Sequence, residues 1–202
     1  MTEPLNSAKN IELIEKTTPY EGYSRIDVYR LRHKRFGGGR TEVMSRELFE
    51  RGQAAVVLPY DPARDAVVLI EQFRIGAYAA GFASWLIEPV AGIVEPGETP
   101  EDVARREAFE EAGCEIAELE PIGTVLSSPG GCSEVLHLYC GRVDSAGVGG
   151  LHGLAHEHED IRAFTLPLDT ALERLAKGEY IKAITVMPLQ WFALNRERLK
   201  KK

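Results

Sequence analysis

The stretch TPEDVARREAFEEAG, residues 99–113, most narrows what this chain can become. Thr99 is a good N-cap, because its side-chain oxygen can accept from an unpaired amide of a first helical turn. Pro100 suits the first helical position, and Asp102 stands three residues after Thr99, where a capping-box acid belongs. Glu101 and Asp102 also favour the positive start of a helix, and Gly113 can close its far end. The spacing predicts a helix over Pro100–Ala112. At about 100° per residue, Ala104, Ala108 and Ala112 form one stripe, whose small side chains allow close approach to a sheet. Glu107, Glu110 and Glu111 fall on a neighbouring stripe, at spacings where like charges repel. A hard divalent cation relieves that repulsion, since Mg²⁺ takes a few carboxylates and completes its shell with water and phosphate oxygens. An ordinary solvated acidic face is the other reading of the same charges.

Strand patterns surround this helix. SRIDVYRLRHKRF alternates at Ile26 and Val28, and EVMSRELFERG and QAAVVLPY read as further strands. After the turn DPARD, AVVLIEQFRI is rich in β-branched residues and reads as a buried strand. ASWLIEPVAGI, IGTVLSSPGG, SEVLHLYCGRV and DIRAFTLP are also strand-like, whereas DTALERLAKGEY and ITVMPLQWFALNRERLKK are helical. The expected class is α+β with a strand-rich core. Residues 1–50 read as an N-terminal appendage of strands and 51–202 as the main domain, because the buried-strand pattern strengthens after Gly52.

Composition sets outer bounds. A chain of 202 residues, 44% hydrophobic and 27% charged, can bury one sizeable core. No run of eighteen apolar residues suggests a membrane span, and the polar, acidic start lacks the features of a secretion signal. Cys114, Cys132 and Cys140 form no CxxC pair, which fits free thiols in a reducing compartment and a cytoplasmic location. The net charge of −7 does not encourage binding to nucleic acid or anionic lipid. The charge is uneven: residues 25–51 hold eight Lys or Arg against four Asp or Glu, so that segment is +4 and the remainder −11. A basic segment beside an acidic one suits an anionic substrate held through cations; a charged strand edge is the plainer alternative.

The helix and the loop before it carry a wider pattern. Gly92, five residues, Glu98, seven residues, Arg106-Glu107, then Ala108, Phe109, Glu110, Glu111, Ala112, Gly113 and Cys114 resemble the Nudix box at every fixed position. Ala108 and Cys114 are small choices for its two hydrophobic places. The resemblance implies a Nudix-type α/β/α sandwich and a loop–helix–loop that binds Mg²⁺ or Mn²⁺. It implies hydrolysis of a nucleoside diphosphate linked to another group. Glu107 and Glu111 would be metal ligands together with the backbone carbonyl of Ala91, and Glu110 a further ligand, direct or through water. Arg106 would pair with a box carboxylate and orient it, and Glu98 would be structural.

The likeness extends from about Tyr20 to Trp191, where the chain resembles bacterial ADP-ribose pyrophosphatases. Pro129, fifteen residues beyond Cys114 in SSPGGCSE, is similar to a proline that marks the ADP-ribose-cleaving subgroup. On this resemblance Ser128, Pro129, Gly130 and Glu134 would lie near the terminal ribose. Arg74, Arg46, Glu47 and Arg51 would serve the diphosphate and adenosine side, and Tyr23 would stack on adenine. The N-terminal strands would reach a second subunit, implying a homodimer.

The segment HGLAHEHEDIR holds His152, His156, Glu157, His158 and Glu159 within a long loop. Imidazoles bind zinc well, although the spacing is not that of HExxH. The resemblance makes Glu157 the general base and Glu159 another metal ligand. Three rival functions stay open: hydrolysis of a nucleotide sugar, NADH or dinucleoside polyphosphate; a module that binds ADP-ribose without cleaving it; and a zinc-binding protein.

Overall fold

The computed structural model describes residues 8–154, 156 and 158–200. The chain forms two compact units, one covering Met1–Gly52 and Leu126–Val135, the other Gln53–Val125 and Leu136–Lys202.

In the first unit β1 (Ile11–Glu21), β2 (Arg25–His33) and β3 (Met44–Glu50) form an antiparallel sheet in that order. β1 was invisible to apolar periodicity, because its register slips between Leu13 and Glu15 and again between Thr17 and Tyr20. Charge pairs across strands mark it instead: Arg32 forks onto Glu12 at 2.9 Å through both Nε and Nη2, and Arg30 meets Glu15 at 3.1 Å. Asp27 is fully buried on this sheet, 2.7 Å from the Thr18 hydroxyl and 3.0 Å from Lys16 Nζ. The segment 126–135 docks on β3, with the Phe49 amide donating to Gly131 O at 2.8 Å and the Ser133 amide to Phe49 O at 3.1 Å.

The second unit is built on an eight-stranded sheet. Its strands are β4 (Gln53–Asp61), β5 (Ala66–Phe73), β6 (Trp85–Glu88), β7 (Val90–Ile93), β8 (Glu118–Leu126), β9 (Val135–Arg142), β10 (Gly150–His152) and β11 (Ile161–Pro167). The order is β10-β11-β5-β4-β9-β8, with β6 added on β5 and β7 on β4. ASWLIEPVAGI is therefore two short strands rather than one. Pro89 has no amide to donate and interrupts the ladder, so the chain passes there from one partner strand to the next.

Both faces of the sheet are covered, as a strand apolar on both sides requires. α2 (Pro100–Ala112) lays Val103, Ala104, Ala108 and Ala112 against Ala55, Val57, Val68, Ile70 and Val90. α3 (Leu168–Ala176) and α4 (Ala183–Leu199) lay Leu168, Ala171, Leu189 and Phe192 against Leu58, Tyr60, Val67 and Leu69. Alternate residues of β5 thus enter opposite cores, giving an α/β/α sandwich of the expected α+β class. α1 (Ile75–Ala79) is a short helix that the apolar pattern did not predict. Among the described residues no helix is long and apolar enough to cross a membrane.

Candidate active site on the acidic helix

α2 begins and ends where its sequence predicts. The Asp102 amide donates to Thr99 Oγ1 at 3.2 Å and the Thr99 amide to Asp102 Oδ2 at 3.3 Å, completing the capping box. Such a cap contributes about 1 kcal/mol. Gly113 is left-handed at φ 64, a conformation cheap only for glycine, and its amide donates to Phe109 O. Fixed ends and a buried alanine stripe hold the glutamates of α2 at constant depth against β7.

Arg106 gathers three carboxylates. Its Nε and Nη2 donate to Glu98 at 3.0 and 3.2 Å, and its Nη1 donates to Glu107 at 2.7 Å and Glu110 at 3.0 Å. Glu98 also accepts the Glu95 amide, which ties the arginine to the loop before the helix. Glu107 lies so close to β7 that a methyl on Gly92 would stand 1.9 Å from its Oε1. The first glycine of the box is required by this approach rather than by its own dihedral angles, and Gly92→Ala would push the Glu107 carboxylate from its seat.

Glu111 is 3% exposed. Its Oε2 accepts the Ala91 amide at 3.1 Å, and its Oε1 faces Gln72 Nε2 at 3.4 Å. Burial pushes its carboxyl up to about 8, with Glu107 and Glu159 adding to the rise and the Ala91 amide and Arg74 opposing it. Burial also raises Glu107, against the pull of Arg106. Two desolvated carboxylates one helical turn apart, with no Lys or Arg in an ion pair with Glu111 among the described residues, form a donor set suited to a hard divalent ion. Among the described residues no three His, Cys, Asp or Glu groups stand close enough to hold a metal by themselves. Glu110 is drawn toward Arg106, and Glu159 accepts the Leu154 amide at 3.2 Å. Fit to an ion therefore rests on Glu107, Glu111 and backbone oxygen. Among the described residues the histidine loop likewise shows no zinc cluster; His152 packs near Gly113 and meets Gly149 O at 3.2 Å. Glu157 lies outside the described residues.

Arg74 directly follows β5, beside this group. Its Nε and Nη2 fork onto Glu88 at 2.8 and 2.9 Å, and Lys182 also donates to Glu88, which is wholly buried. Neither Glu88 nor Lys182 was singled out from the sequence. A lone carboxylate in the apolar run SWLIEPVAGI was the available signal, since a buried charge requires a partner.

The remaining candidates belong to the first unit. Arg51 meets Glu134 at 3.3 Å through Nη2, its amide donates to Ser133 Oγ at 3.0 Å, and its guanidinium lies over the Phe49 ring. Ser128, Pro129 and Gly130 form an exposed turn, closed by the Cys132 amide on Ser128 O at 2.9 Å. Arg46 and Glu47 are exposed on β3, and Tyr23 is 93% exposed between β1 and β2.

Residues 50–187 match the NUDIX domain, and the chain belongs to that family. It is similar to ADP-ribose pyrophosphatases at 46% identity in Escherichia coli strain K12 and 43% in Haemophilus influenzae. The first alignment covers 98% of this chain and 95% of the relative, the second 96% and 90%. A GDP-mannose pyrophosphatase of Cronobacter sakazakii is 35% identical over 92% of this chain and 96% of its own length. A crystal structure of an ADP compounds hydrolase superposes with a TM-score of 0.70 at 20% identity, covering 96% of this chain and 97% of that one, which shows the shared fold.

Proposed function

We propose that the protein is a metal-dependent pyrophosphohydrolase that converts ADP-ribose and water to AMP and ribose 5-phosphate. The observation that carries the chemistry is the pairing of buried Glu111 with half-buried Glu107 beside Ala91 and Gly92. The substrate follows from the full-length similarity to ADP-ribose pyrophosphatases.

Glu107, Glu111 and the Ala91 carbonyl would hold Mg²⁺, or Mn²⁺ in its place, with Glu159 joining them and Glu110 acting through water. Such an ion neutralises diphosphate charge and acidifies water. Arg106 keeps Glu107 and Glu110 oriented while the site fills. Glu157 takes the proton of the attacking water as a P–O bond forms. The bridging P–O bond breaks, and its electrons leave on the departing phosphate. Arg74 presents N–H donors to the oxygens that gain charge, a geometry a guanidinium fork suits. Arg46, Glu47 and Arg51 bind the adenosine and diphosphate side, Tyr23 stacks on adenine, and Ser128, Pro129, Gly130 and Glu134 face the terminal ribose.

The strands within residues 1–50 serve a homodimer in this reading, in the cytoplasm. Their exposed apolar side chains, Ile11, Leu13, Ile14 and Tyr20, support it. Sedimentation of the purified protein is expected at twice the chain mass, and a monomer at micromolar concentration would remove the dimer.

A nucleotide-sugar substrate is the second reading, favoured by the likeness to a GDP-mannose pyrophosphatase. Chromatography of products from ADP-ribose, ADP-glucose, GDP-mannose and NADH with Mg²⁺ separates the two. AMP and ribose 5-phosphate are expected, formed fastest from ADP-ribose. Faster cleavage of GDP-mannose would replace the substrate and keep the chemistry.

A further inference from the structure

Glu88 receives donors from two cationic side chains, and the geometry of the second has a use. Arg74 spends one edge of its guanidinium on Glu88, through Nε at 2.8 Å and Nη2 at 2.9 Å. A guanidinium carries five N–H donors, so both on Nη1 and the second on Nη2 point away from that fork. Lys182 donates to the same Glu88 oxygen as Nη2. The fold delivers it there. Lys182 immediately precedes α4, and Thr185, in the first turn, donates its hydroxyl to Ile87 O at 3.2 Å, pinning the helix start to β6. Lys182 lines a cavity of about 260 Å³ with Trp85, Leu86 and Tyr180 and with the charged Glu71, Arg174 and Glu179.

Charge gives the arrangement its meaning. An arginine paired alone with a buried glutamate is neutral as a unit and attracts an anion weakly. Protonated Lys182 brings the group to +1; burial opposes that charge and lowers the lysine's pKa, while Glu88 favours it. Gln72, two residues before Arg74, faces Glu111 at 3.4 Å, so the group borders the carboxylates of α2. We propose that Lys182 is a positioning residue for anion binding. By sharing Glu88 it holds the Arg74 guanidinium in place and leaves its outward edge electropositive toward the substrate diphosphate. This rests on the pyrophosphohydrolase reading above.

A residue that only fastens α4 to β6 would affect stability and leave substrate affinity alone. Steady-state kinetics of Lys182→Met and Lys182→Arg with ADP-ribose and Mg²⁺, alongside melting temperatures, separate the two roles. Lys182→Met is expected to raise KM about five- to tenfold as ground-state anion binding weakens, with a smaller fall in kcat because Arg74 also meets oxygens that gain charge. Lys182→Arg keeps the charge and should restore KM. Unchanged KM with a lowered melting temperature overturns the proposal, as does a loss confined to kcat. Should Lys182→Met not fold, Lys182→Gln against Lys182→Arg makes the same comparison. A wild-type protein that leaves ADP-ribose intact would refute the substrate reading alone. Calorimetric titration of inorganic pyrophosphate into wild type and Lys182→Met would then decide the role of Lys182, since equal affinities overturn it.

Discussion

Glu111→Gln should cut kcat by at least about 10³-fold while making the metal-free protein more stable at alkaline pH. The catalytic loss follows from removing a ligand of an ion that supplies several kcal/mol of charge stabilisation, at about 1.36 kcal/mol per tenfold. The gain in stability has a separate origin. Glu111 is raised by burial to about 8 from an ordinary 4.5, so the folded chain holds its proton more tightly than the unfolded chain does. The favourable contribution of the protonated carboxyl is complete below about pH 4.5 and is lost as pH rises toward 8. Glutamine has no proton to lose, accepts the Ala91 amide equally well, and can pair with Gln72 after an amide flip. The melting-temperature difference between variant and metal-free parent should widen through that window and then level off. Unchanged turnover would sink the ligand assignment, and a difference independent of pH would sink the account of buried charge.

Chelation should abolish hydrolysis, by more than about 10³-fold, with Mg²⁺ or Mn²⁺ restoring it. Thermal stabilisation by Mg²⁺ should be larger at about pH 8.5 than at about pH 6.5, because protons compete with the ion for Glu111. With its carboxyl near 8, each unit below that value should weaken ion binding by up to about tenfold. Scanning calorimetry with and without Mg²⁺ at the two pH values measures this directly. Equal stabilisation at both would mean that Glu111 does not bind the ion, and activity surviving chelation would discard metal dependence.

Local features of this protein were legible and long-range ones were not. The limits of α2 follow from Thr99, Pro100, Asp102 and Gly113, all acting within a turn of their own positions. The box spacing could be read for the same reason, as one loop and one helix carry it. The split at Pro89 was missed because β6 and β7 choose different partners, and partner choice depends on β4 and β5 being already in place. β1 was missed because cross-strand charges and register slips hold it, and neither leaves a period in the sequence. Lys182 meets Glu88 across 94 positions, and nothing near either residue announces the other. The fully buried Glu88 is the kind of exception that apolar patterning flags without naming its partner.

Ala91 contributes to this site through its main chain. Its amide holds Glu111 at 3.1 Å, and its carbonyl is the oxygen assigned to the ion. Nineteen of the twenty amino acids carry both groups, and only proline lacks the amide. Natural variation at position 91 is therefore free to follow packing against β4 without touching the chemistry, and side-chain comparison would pass over a position on which the site depends. A single exchange to proline is the one that would expose it.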